Sequence, residues 1–269
     1  MPRVVDPIAW QIQTEATSNG CFETMRAYQG RIFRLGDHLD RLYASAQFLG
    51  TDPPADRRQL SRQLTQVLER SGLREAIVRV ALIPQATAEA RPSIVVQPVQ
   101  VPPPSAYRRG IHVAIVPTRK FSVGSIDPQA KYSARLGSIM AVMDAQLRQM
   151  DEALFMDALG YVTESTASNF GIVRQNAILT PPCWLGLLAG ITRDVLLELA
   201  KTLHISLQEV PLTRHDVYNA EEAFLSSTIK EILPVTNIDG RRIGPGRPGP
   251  ITKRLHQAFR QLVKRELAR

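Results

Sequence analysis

In 153-ALFMDALGYVTESTASNFGIV-173, apolar and β-branched residues come in runs of five, at 153–157, 161–165 and 169–173, with small and polar residues between. Runs this short, broken by Gly160 and by 166-TAS-168, predict three strands joined by tight turns. A helix opens downstream in 190-GITRDVLLELAKTLH-204. Upstream, 133-SARLGSIMAVMDAQLRQ-149 predicts a helix with Leu136, Ile139, Met140, Met143 and Leu147 on one face, the face expected against the core. Further upstream, strands are predicted at 76–83, 93–99 and 111–117. Helices are predicted over 36–50, on Leu39, Leu42, Tyr43, Ala46 and Leu49, and over 57–72, on Leu60, Leu64, Val67 and Leu68. The stretch 118-TRKFSVGSIDPQA-130 has little periodicity and reads as a linker. Strands and helices mix in both halves, which predicts an α+β protein of two domains, 1–117 and 131–269, joined by 118–130.

Composition narrows the function classes. The chain has 269 residues, 44% hydrophobic and 22% charged, enough for a sizeable globular core. Its net charge is +8, but the charges are scattered and no basic stripe is interleaved with aromatics, so no nucleic-acid partner is expected. Cys21 and Cys183 fit no zinc spacing, and the five histidines form no local metal pattern, so no metal is expected. Two cysteines suit a reduced, cytoplasmic protein. The opening MPRVVDPIAW lacks the apolar run of a signal peptide, and no segment reaches membrane-spanning length. The glycines of 240-GRRIGPGRPGP-250 fit no phosphate-loop pattern and read as a hairpin and loop.

Four features carry chemistry. Only six of the 33 basic residues are lysines, and one of them, Lys131, stands between a Pro-containing turn and a helix. Surface charge in this chain is usually Arg; Lys, unlike Arg, can lose its proton and attack a carbonyl. Glu164 ends a short apolar strand, where a surface charge is the ordinary reading. In 188-LAGITRD-194 a Gly-led turn enters an amphipathic helix whose first N–H groups, with the Thr192 hydroxyl, suit an anion; the plain reading is a helix with Thr192 as N-cap. Ser226, Ser227 and Thr228 follow an apolar strand and precede an expected helix turn, where they can donate to a phosphate or merely cap. One ligand unites the four. Pyridoxal phosphate needs an amine for its aldehyde, an anion site for its phosphate and a carboxylate at its ring nitrogen.

Several segments occur together in a family order: 20-GCFETMRAYQGRIF-33, 38-HLDRLYASA-46, 130-AK-131, 152-EALFMDALGYVTESTASN-169, 178-ILTPP-182, 188-LAGITRD-194, 226-SSTIKEILPV-235 and 249-GPITKRLHQAF-259. With these the chain resembles the class IV, or fold-type IV, pyridoxal-phosphate enzymes, from about Gly20 to near its C-terminus. The family includes branched-chain and D-amino-acid aminotransferases and aminodeoxychorismate lyase. The resemblance implies a small α/β domain before a larger barrel-like one, with the site between them, and a homodimer whose partner completes the pocket. It implies Lys131 as the cofactor-bonding and catalytic lysine, and Glu164, with Asn169 closing its signature, at the ring nitrogen. It implies Arg41, Ile191, Thr192, Ser227 and Thr228 at the phosphate and Leu188 against the ring. Phe22, Arg79, Ile229 and Lys230 are implied on the substrate side.

The chain also departs from the pattern. Members usually carry two strands and an Asp-Arg-Gly-like stretch before the Gly20 motif, and 8-IAWQIQTEATSNG-20 lacks it, so a reshaped substrate wall is expected. Gly171 follows Phe170 where many members have an aromatic. Leu136 falls near the place of a tyrosine that bonds the cofactor's 3′ oxygen in branched-chain enzymes, with Tyr132 as its candidate substitute. Pro84-Gln85 stands where D-amino-acid enzymes have Arg-Gly. The resemblance therefore implies transfer of an amino group from an L-amino acid, apolar or branched, to a 2-oxo acid such as 2-oxoglutarate, by a ping-pong mechanism. The alternatives are a lyase, suggested by 20-GCF-22 and the Lys131-x-x-x-Arg135 spacing, a D-amino-acid aminotransferase, and a non-catalytic relative.

Overall fold

A computed structural model describes residues 20–85, 89–121, 126–133 and 136–268. The expected reshaped wall before Gly20, and Arg135, lie outside the described residues. The chain divides into two compact units. The larger includes Val101–Gln129 and Leu136–Gln261; the smaller takes the described residues of Ala9–Gln100, Ala130–Arg135 and Leu262–Arg269.

In the smaller unit, β1 (Cys21–Tyr28) and β2 (Arg31–Ile32) form a hairpin. Its two turn residues, Gln29 and Gly30, both have positive φ, 53° and 81°, the pair that a two-residue hairpin needs. Helices α1 (Leu35–Phe48) and α2 (Arg57–Ser71) follow, then β3 (Ala76–Ile83) and β4 (Arg91–Pro98). The strands lie in the order β2-β1-β3-β4, antiparallel throughout. Asp56 caps α2 by accepting from the Gln59 N–H at 2.9 Å, and Gly72 ends it at φ 67°. Leu39, Leu42 and Ala46 of α1 and Leu60, Leu64 and Leu68 of α2 share one core with Met25, Ala27, Val78 and Val80. Of the two helical stripes predicted from the sequence, these six helix residues are buried, and Tyr43, Leu49 and Val67 are half-buried at the edges.

The larger unit holds α3 (Pro104–Arg109), β5 (Ile111–Arg119), α4 (Leu136–Leu147), β6 (Glu152–Met156), β7 (Val162–Ser165), β8 (Asn169–Arg174), β9 (Ala177–Thr180), α5 (Ile191–Thr202), β10 (Leu207–Glu209), α6 (Arg214–Tyr218), β11 (Glu222–Ser227), β12 (Glu231–Ile238) and β13 (Arg241–Arg242). Helix α7 (Pro250–Leu267) starts in this unit, and its last residues belong with the smaller one. The strand order is β10-β9-β8-β11-β12-β5-β6-β7, and β7 pairs back onto β8. That return pairing closes β8-β11-β12-β5-β6-β7 into a barrel. Val113, Leu154, Phe170, Ile172, Leu225 and Leu233 share its core.

Three expectations need correction. The stretch 118–130 is not a single linker: β5 carries Thr118 and Arg119 into the large sheet, and the chain crosses between the units at Gln100/Val101 and again at Gln129/Ala130, so that Lys131 belongs to the smaller unit. The expected core face of α4 is exposed at Leu136, Met140, Met143 and Leu147. Its buried residues are Ala141, Val142 and Ala145. Ala141 and Ala145 pack with Ala114, Val116, Ala153 and Phe155, because small side chains let the helix lie close on the strands. Ser226–Thr228 do not lead into a helix; they enter the β11–β12 hairpin, where Ser227 pairs with Glu231.

Candidate active site

The smaller unit builds one set of candidate groups on β1, α1 and the segment around Lys131. The Phe22 N–H donates to the Lys131 carbonyl at 3.0 Å, the Lys131 N–H donates to Ser45 Oγ at 3.0 Å, and Tyr132 bridges to Cys21. The lysine is thus stitched to a strand on one side and a helix on the other. Its Nζ lies 4.8 Å from the centroid of the Phe22 ring, and the buried Arg79 guanidinium lies 4.2 Å from the same centroid. Arg79 pairs with Thr24 across β1–β3, so it shares the Phe22 face, a facing that the sequence leaves open.

Opposite to Phe22 in the β1 alternation stands Glu23, fully buried beside α1. It accepts from Arg41 Nε at 2.6 Å and Nη2 at 2.8 Å, and His38 Nδ1 lies 2.8 Å from its Oε2. Burial alone would raise the Glu23 carboxyl's pKa; the Arg41 charge and the Arg41 and His38 hydrogen bonds outweigh it and hold the group well below the usual carboxylate range.

The larger unit builds the second set around the β7–β8 hairpin. Glu164 and Asn169 face each other across it. Glu164 is buried, against the ordinary reading of a strand-end surface charge. Its Oε1 accepts from Lys120 Nζ at 2.6 Å, and its Oε2 accepts from Asn169 Nδ2 and the Leu188 N–H, each at 3.2 Å. Asn169 also donates to the Leu188 carbonyl at 2.8 Å. A Cβ on Gly190 would collide with Asn169 Oδ1, so the turn into α5 requires glycine there. Gly190, not Thr192, is the N-cap, and no side chain caps the helix. Ile191 and Thr192, both buried, form the first positions of an N-terminus that suits an anion. In the β11–β12 turn, Ser227 Oγ accepts from the Lys230 N–H at 3.2 Å, and Thr228 and Ile229 are half-buried.

Lys230, expected on the substrate side, has its ammonium paired with the buried Glu152. Glu152 also accepts from Thr166 Oγ1 at 2.6 Å and the Ala153 N–H at 3.1 Å. Burial raises the Glu152 pKa, and the Lys230 charge with these hydrogen bonds turns the net shift downward. Leu136 opens α4 exposed. Among the described residues, no group of three His, Cys, Asp or Glu could hold a metal.

Sequence reasoning missed Glu23, Ser45, Lys120 and Glu152. Glu23 had a readable signal: it interrupts the alternation Cys21, Met25, Ala27 with a charge on the core face, and His38 and Arg41 stand three apart on the adjoining helix. Lys120 and Glu152 had none, since their partners are 44 and 78 residues away.

A buried carboxylate accepts from three donors, the Lys120 ammonium, the Asn169 amide and the N–H of Leu188, which lies three residues before an uncapped helix N-terminus. That pairing suits a ring that carries a protonated nitrogen and a phosphate. These are the features of an enzyme that holds pyridoxal phosphate. The sequence profile of the family described as amino-transferase class IV matches residues 20–238, and the chain belongs to that family. It is an aminotransferase, and its cofactor is pyridoxal 5′-phosphate. A provisionally named branched-chain-amino-acid aminotransferase of Methanocaldococcus jannaschii is 36% identical over 91% of this chain and 87% of its own length. A D-alanine aminotransferase of Bacillus licheniformis is 31% identical over 93% of this chain and 90% of its own. A branched-chain amino acid aminotransferase solved with pyridoxamine 5′-phosphate superposes with a TM-score of 0.86 at 30% identity, over 93% of this chain and 90% of that one.

Proposed function

We propose that the protein transfers the amino group of an L-amino acid with an apolar, branched side chain to 2-oxoglutarate, by a ping-pong mechanism. The observation that carries the site assignment is the fixed Glu164 carboxylate beside the uncapped start of α5. When bound, pyridoxal phosphate supplies an aldehyde that bonds amines and a ring that accepts electron density. Glu164 would hold a proton on the ring nitrogen; Lys120, Asn169 and the Leu188 N–H keep the carboxylate oriented. Lys131 would supply the amine that holds the aldehyde and, once the substrate amine has displaced it, would take the proton from the substrate Cα and return one, as base and then acid. In the smaller unit Arg41, and in the larger unit the Ile191 and Thr192 N–H groups with Ser227 and Thr228, are the groups that would hold a phosphate, and Leu188 is the apolar residue that would meet the ring. We assign Phe22 and Arg79 of the smaller unit, and Ile229 and Lys230 of the larger, to the substrate side; the Lys230 ammonium is paired with Glu152.

The L preference rests on Pro84 and Gln85. Proline has no donor, and the Gln85 amide is turned onto the Ile83 and Pro84 carbonyls, at 3.3 and 3.1 Å. The test is the cofactor's absorbance in the purified protein, mixed in turn with L-leucine, L-glutamate, D-alanine and D-glutamate. The L-amino acids should convert it faster to the amine form, and 2-oxoglutarate should restore the aldehyde form. Faster conversion by the D-amino acids would assign the activity to the D-specific branch instead. Pyruvate released from aminodeoxychorismate with no oxo acid present would assign it to the lyase.

We also propose a homodimer. Leu136 and Leu147, 71% and 85% exposed, bracket Met140 and Met143 on one stripe of α4, a helix whose other face is already buried. Light scattering should report a dimer, and Met140→Glu with Met143→Glu should shift it to monomer. A monomeric wild type would remove this assignment. Two free cysteines suit the cytoplasm, which cell fractionation checks.

A further inference from the structure

Glu23 stands in a place that ordinarily takes an apolar residue. Cys21, Met25 and Ala27, its neighbours on the same face of β1, are all core residues. A carboxylate removed from water is unfavourable unless it is paired. Glu23 is paired three ways, by Nε and Nη2 of Arg41 and by His38. For folding alone, well-packed apolar residues commonly serve as well as a buried ion pair. The network therefore asks for a role beyond the core.

Its geometry supplies one. Arg41 engages Glu23 through one edge of the guanidinium, using Nε and Nη2. The group is planar and rigid, so fixing one edge fixes the direction of the other, the edge toward Nη1. The same helical turn is tied to the lysine. Ser45 Oγ donates to the Arg41 carbonyl at 2.8 Å and accepts from the Lys131 N–H at 3.0 Å. The Lys131 carbonyl in turn accepts from Phe22, the residue before Glu23. Glu23, Arg41, Ser45, Lys131 and Phe22 thus form a closed hydrogen-bonded ring within the smaller unit.

We propose that Glu23 is a positioning residue that presets the Arg41 guanidinium for the cofactor's phosphate, with His38 as its third contact. This rests on the assignment of Arg41 to the phosphate. An arginine held in place loses less freedom on binding, and its contact to phosphate gains accordingly. Glu23 touches neither cofactor nor substrate in this role.

The test measures a ratio. The full-length chain, freed of cofactor, is titrated with pyridoxamine 5′-phosphate and with pyridoxamine, and the ratio of the two affinities reports the phosphate contact alone. A loss of folded protein lowers both affinities together and leaves the ratio unmoved. Arg41→Ala should lower the ratio by about 10-fold or more, the effect of losing charge-assisted hydrogen bonds. Glu23→Gln should lower it several-fold, and Glu23→Gln should add nothing in the Arg41→Ala background. If Arg41→Ala lowers the ratio and Glu23→Gln leaves it unchanged, Glu23 is structural only and the proposal is wrong, while the phosphate assignment stands. If Arg41→Ala leaves the ratio unchanged, the phosphate assignment itself fails and the proposal with it. Should Glu23→Gln yield no folded protein, His38→Gln reads the same quantity: a smaller fall supports the proposal, and an unmoved ratio overturns it.

Discussion

At Lys131, the residue proposed to carry the cofactor, the backbone makes two ties: the carbonyl accepts from Phe22 and the N–H donates to Ser45, and neither of these bonds uses the side chain. Lys131→Ala should therefore leave the fold intact and abolish both covalent cofactor attachment and turnover. Persistence of the protein-bound aldehyde absorbance after dialysis would show that another lysine carries the cofactor. Lys120 is the one to test next, because its ammonium lies 2.6 Å from Glu164. Glu164→Gln should slow the first half-reaction on the order of 10²-fold, a few kcal/mol of electrostatic stabilisation, with cofactor still bound. An unchanged rate measured by stopped-flow absorbance would remove Glu164 from the chemistry. At this scale the sequence is readable where type and place agree. A lysine in an arginine-rich chain, and a Glu–Asn pair flanking a hairpin, both stand out. Lys230 reads from sequence only as a substrate-side cation, because its partner Glu152 is 78 residues distant and no local spacing announces it.

Among the elements, α4 shows where periodicity fails. The rule that large apolar residues on one stripe face the core holds for α1 and α2, whose opposite faces are polar. In 136-LGSIMAVMDAQL-147 nearly every face is apolar, so periodicity cannot choose between them. The strands below select the face of Ala141 and Ala145, which allows close approach to Ala114 and Ala153. Ala145→Leu should consequently be destabilising, by about 1–3 kcal/mol, because the added side chain has no room on a packed face. Met143→Leu, on the exposed stripe, should have little effect on folding. Urea midpoints of the two variants check this; equal midpoints would mean that α4 can rise off the sheet at no cost. The hairpin after Ser227 misleads for a related reason. Three hydroxyls in a row fit a helix cap as well as a turn, and the long-range pairing of β12 with β5 decides for the strand.

In the molecule as a whole, each unit carries a buried carboxylate held ionised by a cation, Glu23 in the smaller and Glu152 in the larger. That division is only partly legible: the alternation of elements predicts two domains, but the return of Lys131 to the smaller unit depends on its bonds to Phe22 and Ser45, which no periodicity encodes. Burial pushes both carboxyls up in pKa, and their cationic and hydrogen-bonding partners push them further down, so both titrate lower folded than unfolded. An unfolded Glu takes its proton near pH 4.3, about the value for a free side chain. Unfolding in acid therefore takes up protons, and acid favours the unfolded chain. The stability that these groups contribute is present in full above the unfolded value and is lost as pH falls toward the folded one. Urea midpoints should accordingly change little on account of these groups between about pH 6 and 8 and should drop below about pH 5. Glu23→Gln should begin lower at neutral pH, since Arg41 then lacks its anionic partner, and should lose less on acidification than the wild type. Glu152→Gln should do the same through Lys230. If either variant tracks the wild type in parallel down to about pH 3, the acid sensitivity of that unit comes from other carboxylates and the buried pair contributes nothing to it.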